Sequence, residues 1–67
     1  MITLSVNGRQ LEFPQELTGG ELLDTLAVGR ATVVVELNGR IVPRAEFFEL
    51  MLADGDSLEL VTVVGGG

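Results

Sequence analysis

The amino-acid sequence predicts an α+β domain in which a mixed sheet of about five strands carries one main helix on one face. Three observations lead to this fold class. Short stretches of alternating apolar and polar residues recur along the chain, as in half-buried strands. Two Asn-Gly pairs, at 7–8 and 38–39, each separate two such stretches, as in β-hairpins. The segment between the hairpins carries apolar residues at helical spacing.

Length and composition predict one small domain with a single core. The chain has 67 residues, no cysteine, and ten carboxylates against four arginines, which gives a net charge of −6. A chain this short buries only about 60% of its unfolded surface, so the core is marginal. No export signal and no disulfide-forming cysteine are found, so we expect a cytoplasmic protein. No run of about 20 apolar residues exists, and we expect no membrane span.

The first hairpin is predicted at the start of the chain. In the stretch MITLSV, apolar residues alternate with Thr3 and Ser5. Asn7 and Gly8 provide the turn, and the stretch RQLEF forms the returning strand. Pro14 ends that strand because proline cannot donate a hydrogen bond to a neighbouring strand.

The stretch LTGGELLDTLAVG predicts the helix. Thr18 and Glu21 have the spacing of a capping box, and Gly29 is expected to end the helix. Gly19 and Gly20, in the first turn, weaken the prediction because glycine is a poor helix former. The apolar stripe that we expect to face the sheet consists of Leu22, Leu23, Leu26 and Ala27.

The second half is predicted to add a hairpin, a turn or short helix, and a closing strand. The β-branched stretch ATVVVEL, Asn-Gly and RIV form the hairpin, which Pro43 stops. ADGD is interpreted as a turn rather than a calcium loop, since the rest of such a loop is missing. SLELVTVV is the last strand. In RAEFFELML, the side chains expected to cover the core are Phe47, Phe48, Leu50 and Leu52.

The missing residue types argue against an independent enzyme. The sequence has no Cys, His, Lys, Tyr or Trp, so most of the usual nucleophiles and general bases are absent. Ser and Thr have no partner base, and no spacing singles out a pair among Asp and Glu. Zinc sites need Cys or His ligands. We therefore predict no catalytic residue, no metal and no bound cofactor. The acidic charge disfavours nucleic acid and favours a basic protein partner.

The sequence ends VTVVGGG, and three consecutive glycines cannot be expected to pack. From the residues alone, they are a frayed end, an added sequence or a functional tail. Four extended residues, 64–67, reach roughly 13 Å, and glycine fits channels that exclude other residues. The functional interpretation is a folded domain at 1–63 and a flexible tail at 64–67. Val64, Gly65 and Gly66 would then enter a partner's channel and carry the α-carboxylate of Gly67 into its active site.

The predicted element order is that of the ubiquitin-like β-grasp, and two stretches resemble a known family. LNGRIVPRAEF (37–47) and LADGDSLELVTVVGGG (52–67) resemble the ThiS family, the bacterial sulfur carriers of thiamine biosynthesis. The resemblance covers the whole chain in length and element order. There are two departures: Phe47 stands near a position where that family often has Trp, and the tail has three glycines where two suffice.

The resemblance implies a chemistry and a set of partners. A ThiF-type adenylyltransferase, using ATP and magnesium, would adenylate Gly67. Sulfur from a cysteine desulfurase or another persulfide donor would replace AMP, leaving a C-terminal thiocarboxylate. A ThiG-type thiazole synthase would then take the sulfur for the thiazole ring. The residues agree on one point independently: without cysteine, no side chain can carry a transferable persulfide.

The last strand also suggests a partner face. Leu58 and Leu60 are expected to face the core, so Val61 and Val63 lie on the other side, where Val34 would complete an apolar patch. The alternative is that a small sheet tolerates exposed valines. Arg44 is either a contact for a partner's acid or a solvated charge. The free protein is expected to be a monomer.

Other functions remain open on the sequence. The small subunit of molybdopterin synthase is a sulfur carrier of the same mechanistic class, although such subunits tend to be longer. A ubiquitin-like protein modifier would form isopeptide bonds through the same terminus. A passive β-grasp binding module would have no terminal chemistry.

Overall fold

The computed structural model describes residues 1–62 as a five-stranded mixed sheet with two helices. The strands are ordered β2-β1-β5-β3-β4; β1 and β5 are parallel, and the other neighbouring pairs are antiparallel. The predicted fold class is confirmed, whereas the predictions for residues 63–67 lie outside the described residues. The elements are β1 Ile2–Val6, β2 Arg9–Phe13, α1 Gly19–Thr25, β3 Val33–Leu37, β4 Arg40–Val42, α2 Arg44–Glu49 and β5 Ser57–Thr62.

Both Asn-Gly pairs form the predicted hairpin turns. Asn7 and Gly8 have φ values of 50° and 81°, and Asn38 and Gly39 have φ values of 51° and 84°. Positive φ at both central residues defines the type I′ turn, whose twist matches that of the flanking strands. The two turns therefore set the registers of β1 with β2 and of β3 with β4.

The two turn asparagines also hold the central strand β5 from both sides. The Asn7 carboxamide accepts a hydrogen bond from the Leu60 N–H at 2.7 Å and donates one to the Leu60 carbonyl at 3.2 Å. On the β3 side, the Asn38 side chain accepts a hydrogen bond from the Ser57 N–H at 2.9 Å. Because a slip of one residue would turn every β5 side chain to the other face, these bonds help decide which residues point outwards.

Helix α1 begins as predicted. The Thr18 hydroxyl accepts a hydrogen bond from the Glu21 N–H at 3.1 Å, and the Glu21 carboxylate accepts one from the Thr18 N–H at 2.8 Å. These reciprocal bonds are a capping box, which satisfies two backbone donors that the helix itself cannot.

The end of α1 differs from the prediction. The helix is capped at Leu26, and Ala27, not Gly29, adopts the left-handed conformation with φ 57°. The N–H of Ala27 then bonds to the Asp24 carbonyl and that of Val28 to the Leu23 carbonyl, which together make a Schellman motif. The motif turns the chain early so that Val28 packs on the core. Ala27 is consequently exposed, and Leu26 is only half-buried.

The glycines in the first turn of α1 lie close to α2 and to Arg30. A Cβ atom on Gly19 would lie 2.2 Å from the Phe47 carbonyl oxygen. One on Gly20 would lie 2.9 Å from the Arg30 guanidinium and 3.0 Å from the Phe48 carbonyl oxygen. Low helix propensity at these positions is therefore offset by a close approach of the two helices.

The core lies between the sheet and the two helices. Phe47 and Leu52 are fully buried as predicted, and Phe48 is half-buried. Leu50 is exposed, contrary to the prediction, because the chain becomes extended after α2 and the Leu50 carbonyl binds the Gly19 N–H. Neither helix has the length and apolar character needed to cross a membrane. The buried apolar residues are Ile2, Leu4, Val6, Leu17, Leu22, Leu23, Val33, Val35, Phe47, Leu52, Leu58 and Leu60.

Candidate functional site

The side of the sheet that faces away from the helices is uncovered in the described part of the chain, and we call it the open face. Side chains alternate between the two faces along each strand, so every second residue belongs to the open face. The residues between them, such as Leu4, Val35 and Leu58, are buried beneath the helices. The open face consists of Thr3, Ser5, Gln10, Glu12, Val34, Glu36, Ile41, Ser57, Glu59 and Val61.

The predicted valines meet on this face. Val34 and Val61 lie directly opposite each other in the β3–β5 register and are 41% and 58% exposed. Leu58 and Leu60 are buried on the other side of β5, as predicted. Val63 lies outside the described residues. The structure thus contains the expected exposed valine pair, and its role in partner binding remains a prediction.

Ile41 enlarges this apolar area and was missed by sequence reasoning. It is 73% exposed and lies opposite Glu36 in the β3–β4 register. The stretch RIV is so short that its alternation alone does not identify an outward face. The hairpin turn at 38–39 fixes the register and so provides the information that was needed.

Two carboxylates face each other beside the valine pair. Glu36 on β3 and Glu59 on β5 are directly opposite in the register, and both are exposed. Directly opposed like charges destabilise a sheet, because Cβ atoms of such pairs are only about 4.5–5.5 Å apart. A third carboxylate, Glu12, is on the same face on edge strand β2. Sequence reasoning missed the pair because it arises from residues 23 positions apart.

Arg44 is not part of the open face. It begins α2, on the helix side of the sheet, where its guanidinium donates a hydrogen bond to the Ala31 carbonyl. The nearby Arg30 forms an ion pair with Asp24 at 2.9 Å and stacks 5.0 Å from the centre of the Phe48 ring. A contact of Arg44 with a partner's acid remains a prediction, separate from the valine pair.

The other two arginines also belong to the helix side. Arg9 pairs with the inward-facing Val6, and Arg40 pairs with the inward-facing Leu37. All four arginines of the chain are within residues 1–62, and none lies on the open face of the described strands. The described strands therefore carry carboxylates but no cation on the open face, whereas the helix side carries charges of both signs.

The acidic turn before β5 is structural, as predicted. The Asp54 carboxylate accepts a hydrogen bond from the Thr3 N–H at 2.7 Å, and the Asp56 carboxylate accepts one from the Ala53 N–H at 2.8 Å. Gly55 has φ 89°, which favours glycine. Within residues 1–62, no group of three or more acidic side chains is placed to hold a metal ion. The turn instead anchors the start of β5.

Strand β5 leads the chain from this turn towards the terminal glycines. Backbone pairing with β1 is confined to Ser57 and Leu58, after which the Asn7 side chain binds Leu60. Pairing with β3 continues to Thr62, the last described residue, opposite Val33. The final strand is thus held at the centre of the sheet up to Thr62. Val63, Val64, Gly65, Gly66 and Gly67 lie outside the described residues.

The sheet order, the parallel pairing of the first and last strands, and the helix packed across one side define a ubiquitin-like β-grasp domain. The ThiS family model matches residues 3–67. The chain therefore belongs to the ThiS family, the sulfur carriers of thiamine biosynthesis.

Similar proteins agree with this assignment. The sulfur carrier protein ThiS of Bacillus subtilis (strain 168) is 32% identical over 65 residues, which cover 96% of this chain and 98% of that protein. The crystal structure of the thiamine biosynthesis protein ThiS from Geobacter metallireducens has a TM-score of 0.81 and 38% identity. That match covers 98% of this chain and 100% of the other.

A third relative is much longer. A thiazole synthase of Paramagnetospirillum magneticum (strain ATCC 700264 / AMB-1) is 39% identical over 64 residues, which cover 96% of this chain. The chain spans only 20% of the length of that protein. A segment similar to this domain is thus found in one polypeptide with the rest of a thiazole synthase.

Proposed function

We propose that this protein carries sulfur on the α-carboxylate of Gly67 and delivers it for thiazole formation in thiamine biosynthesis. The observation that carries the proposal is the match to the ThiS family, which extends through the glycines to residue 67. The absence of cysteine supports it, because no side chain is available to hold a persulfide.

The proposed chemistry takes place in partner enzymes. A ThiF-type adenylyltransferase, with its own ATP and magnesium, lets the Gly67 carboxylate attack the α-phosphorus of ATP, which releases pyrophosphate. The terminal sulfur of a persulfide, from a cysteine desulfurase or another donor, then attacks the acyl carbonyl and displaces AMP. A thiol cleaves the resulting S–S bond, which leaves a thiocarboxylate on Gly67 and a disulfide on the donor side. The domain's own task is to position the terminus.

A ThiG-type thiazole synthase is the proposed acceptor of the sulfur. The similarity to a segment of the Paramagnetospirillum magneticum thiazole synthase supports this pairing. In that protein the two partners would share one chain, which raises their effective concentration without any new contact. For the present protein we propose the same encounter with a ThiG-type synthase, and a carrier that is monomeric and cytoplasmic.

The open face is the proposed contact with the activating enzyme. Val34, Val61 and Ile41 expose apolar surface on the sheet whose central strand continues towards the tail. Apolar surface of this kind often marks a partner site. Val63 would extend the patch, and Val64, Gly65 and Gly66 would occupy the channel. Arg44, on the helix side, would contact a partner's acid separately from the open face.

ATP–pyrophosphate exchange tests the adenylation step directly. With the cognate adenylyltransferase and magnesium, we expect exchange that depends on this protein and disappears when Gly66 and Gly67 are deleted together. The deletion shortens the reach by roughly 7 Å. Full exchange by the shortened protein would contradict the proposal. Transfer to lysines of other proteins would instead identify a modifier, and no reaction would indicate a binding module.

A further inference from the structure

The opposed carboxylates Glu36 and Glu59 are an unfavourable feature of the isolated domain. They occupy directly paired positions on β3 and β5 and are both exposed. Within residues 1–62, the ion pair formed is that of Arg30 with Asp24. Neither Glu36 nor Glu59 pairs with a cation in this part of the chain. The like charges repel across the strands, and the fold gains nothing from the arrangement.

The surroundings of the pair are apolar. Ile41 flanks Glu36 on β4, and the Val34–Val61 pair forms the next outward-facing row of the sheet. These side chains are exposed, at 73%, 41% and 58% respectively. A partner that covers them would also remove water from the two carboxylates. Burying two unpaired negative charges is costly, so such a partner must supply positive charge at this point.

We infer that Glu36 and Glu59 together receive one basic side chain, an arginine or a lysine, that projects from an apolar surface of the activating enzyme. This inference rests on the proposed function, in which that enzyme docks on the open face. The absence of arginine from the open face of the described strands supports it, because the four arginines lie on the helix side and do not pair with Glu36 or Glu59. A second copy of the chain does not fit, since face-to-face contact would bring four carboxylates together.

The double variant Glu36→Gln/Glu59→Gln separates this role from a structural one. Removing the repulsion should raise the Tm by about 2–4 °C. The same change should raise the Kd for the cognate activating enzyme about 10-fold at low ionic strength, because a charge-assisted contact is lost. Glu12→Gln is the control: it neutralises a single carboxylate on the same face, two strands away from β5. We expect Glu12→Gln to change the Kd less than 2-fold.

Reversing the charge at position 36 provides a second test. Glu36→Arg places opposite charges across β3 and β5, which should stabilise the sheet and raise the Tm. It should nevertheless weaken binding more than the double glutamine variant, because it presents positive charge to the partner's cation. Added salt should weaken the wild-type complex more than the complex of the double variant.

The failure of this inference is distinguishable from the failure of the proposed function. If the wild-type protein supports pyrophosphate exchange and the double variant binds with unchanged Kd, the inference is wrong and the carrier function stands. A lower Tm for the double variant would also overturn it, because the glutamates would then support the fold. If the wild type supports no exchange, the proposed function fails and this inference fails with it.

Discussion

Ala27 holds a backbone position that suits glycine better than alanine. Its φ of 57° closes the Schellman motif at the end of α1. We expect Ala27→Gly to raise the free energy of unfolding by about 1 kcal/mol, since relief of the left-handed strain exceeds the entropy that glycine loses. Ala45→Gly, inside α2, is the control and should lower stability by about 0.5–1 kcal/mol. Urea denaturation measures the free energy of unfolding of both variants. If both substitutions raised it, or both lowered it, the left-handed conformation of Ala27 would be contradicted.

Gly19 is the residue where a single methyl group should disturb the packing most. The added Cβ would meet the Phe47 carbonyl oxygen, a backbone atom that cannot rotate away. Gly19→Ala should therefore destabilise the domain by about 1–3 kcal/mol, despite the better helix propensity of alanine. Gly29→Ala is the matched control, because the added Cβ atom would lie 3.4 Å from the Thr32 hydroxyl, which is an ordinary van der Waals contact. A Gly19→Ala variant as stable as the control would show that the helices do not approach so closely.

Some features of single residues could be predicted from the sequence, and others could not. Thr18 with Glu21 and Asn7 with Gly8 were predicted correctly because each motif is complete within four residues. The need for glycine at Gly19 could not be predicted, since the atom that excludes a side chain belongs to a residue 28 positions away. Local chemistry is visible in the sequence, whereas long-range contacts require the fold.

At the scale of elements, α1 contributes to the core through its middle rather than its end. Leu23 is fully buried, while Leu26, at the C-cap, is half-buried. Leu23→Ala should cost about 2–5 kcal/mol, which approaches the whole stability of a small domain. Leu26→Ala should cost less than half as much. Denaturant midpoints distinguish the two, and a larger loss for Leu26→Ala would place the end of α1 against the core.

Strand β5 offers a test of the partner face that leaves the core intact. Val61 is 58% exposed on the open face, so Val61→Asp should leave the thermal melt within a few degrees of the wild type. It should weaken binding to the activating enzyme about 10-fold or more, because a charge replaces buried apolar contact. Gln10→Asp, on the same face at edge strand β2, is the control. Equal binding by Val61→Asp and the wild type would remove the valine pair from the interface.

Element boundaries were predicted well where a turn residue sets them and less well elsewhere. The hairpins follow their Asn-Gly turns. The end of α1 was placed too late, at Gly29, because the periodicity does not show that Val28 must return to the core. Leu50 was assigned to the core from its apolar character, and only its extended backbone explains its exposure. The pairing of Glu36 with Glu59 likewise depends on the central place of β5, which no local pattern specifies.

For the whole molecule, folding and chemistry are expected to be separable. The caps, core and strand registers described above are formed within residues 1–62, whereas the proposed reaction occurs at Gly67. Gly66→Val should block adenylation, because a side chain beside the reacting group displaces it, and a shift of about 1 Å can cost on the order of 100-fold in rate. Its thermal melt should match the wild type. Loss of folding in this variant would contradict the separation.

Deleting Gly67 alone tests whether adenylation requires one particular tail length. The shortened chain still ends in two glycines, Gly65 and Gly66, but its extended reach is about 3.3 Å shorter. If the docked domain fixes the distance, we expect pyrophosphate exchange to fall at least 10-fold. Exchange at the wild-type rate would show that a Gly-Gly end is sufficient and that the third glycine is dispensable.

Intact-protein mass spectrometry with fragmentation tests whether the sulfur is carried on Gly67. The protein is incubated with the cognate adenylyltransferase, ATP, magnesium and a persulfide donor, and a reaction without ATP is the control. We predict an ATP-dependent mass gain equal to the replacement of one oxygen by one sulfur, confined to the C-terminal fragment that contains Gly67. A complete reaction mixture that adenylates the protein but leaves this fragment without sulfur would show that Gly67 does not carry it.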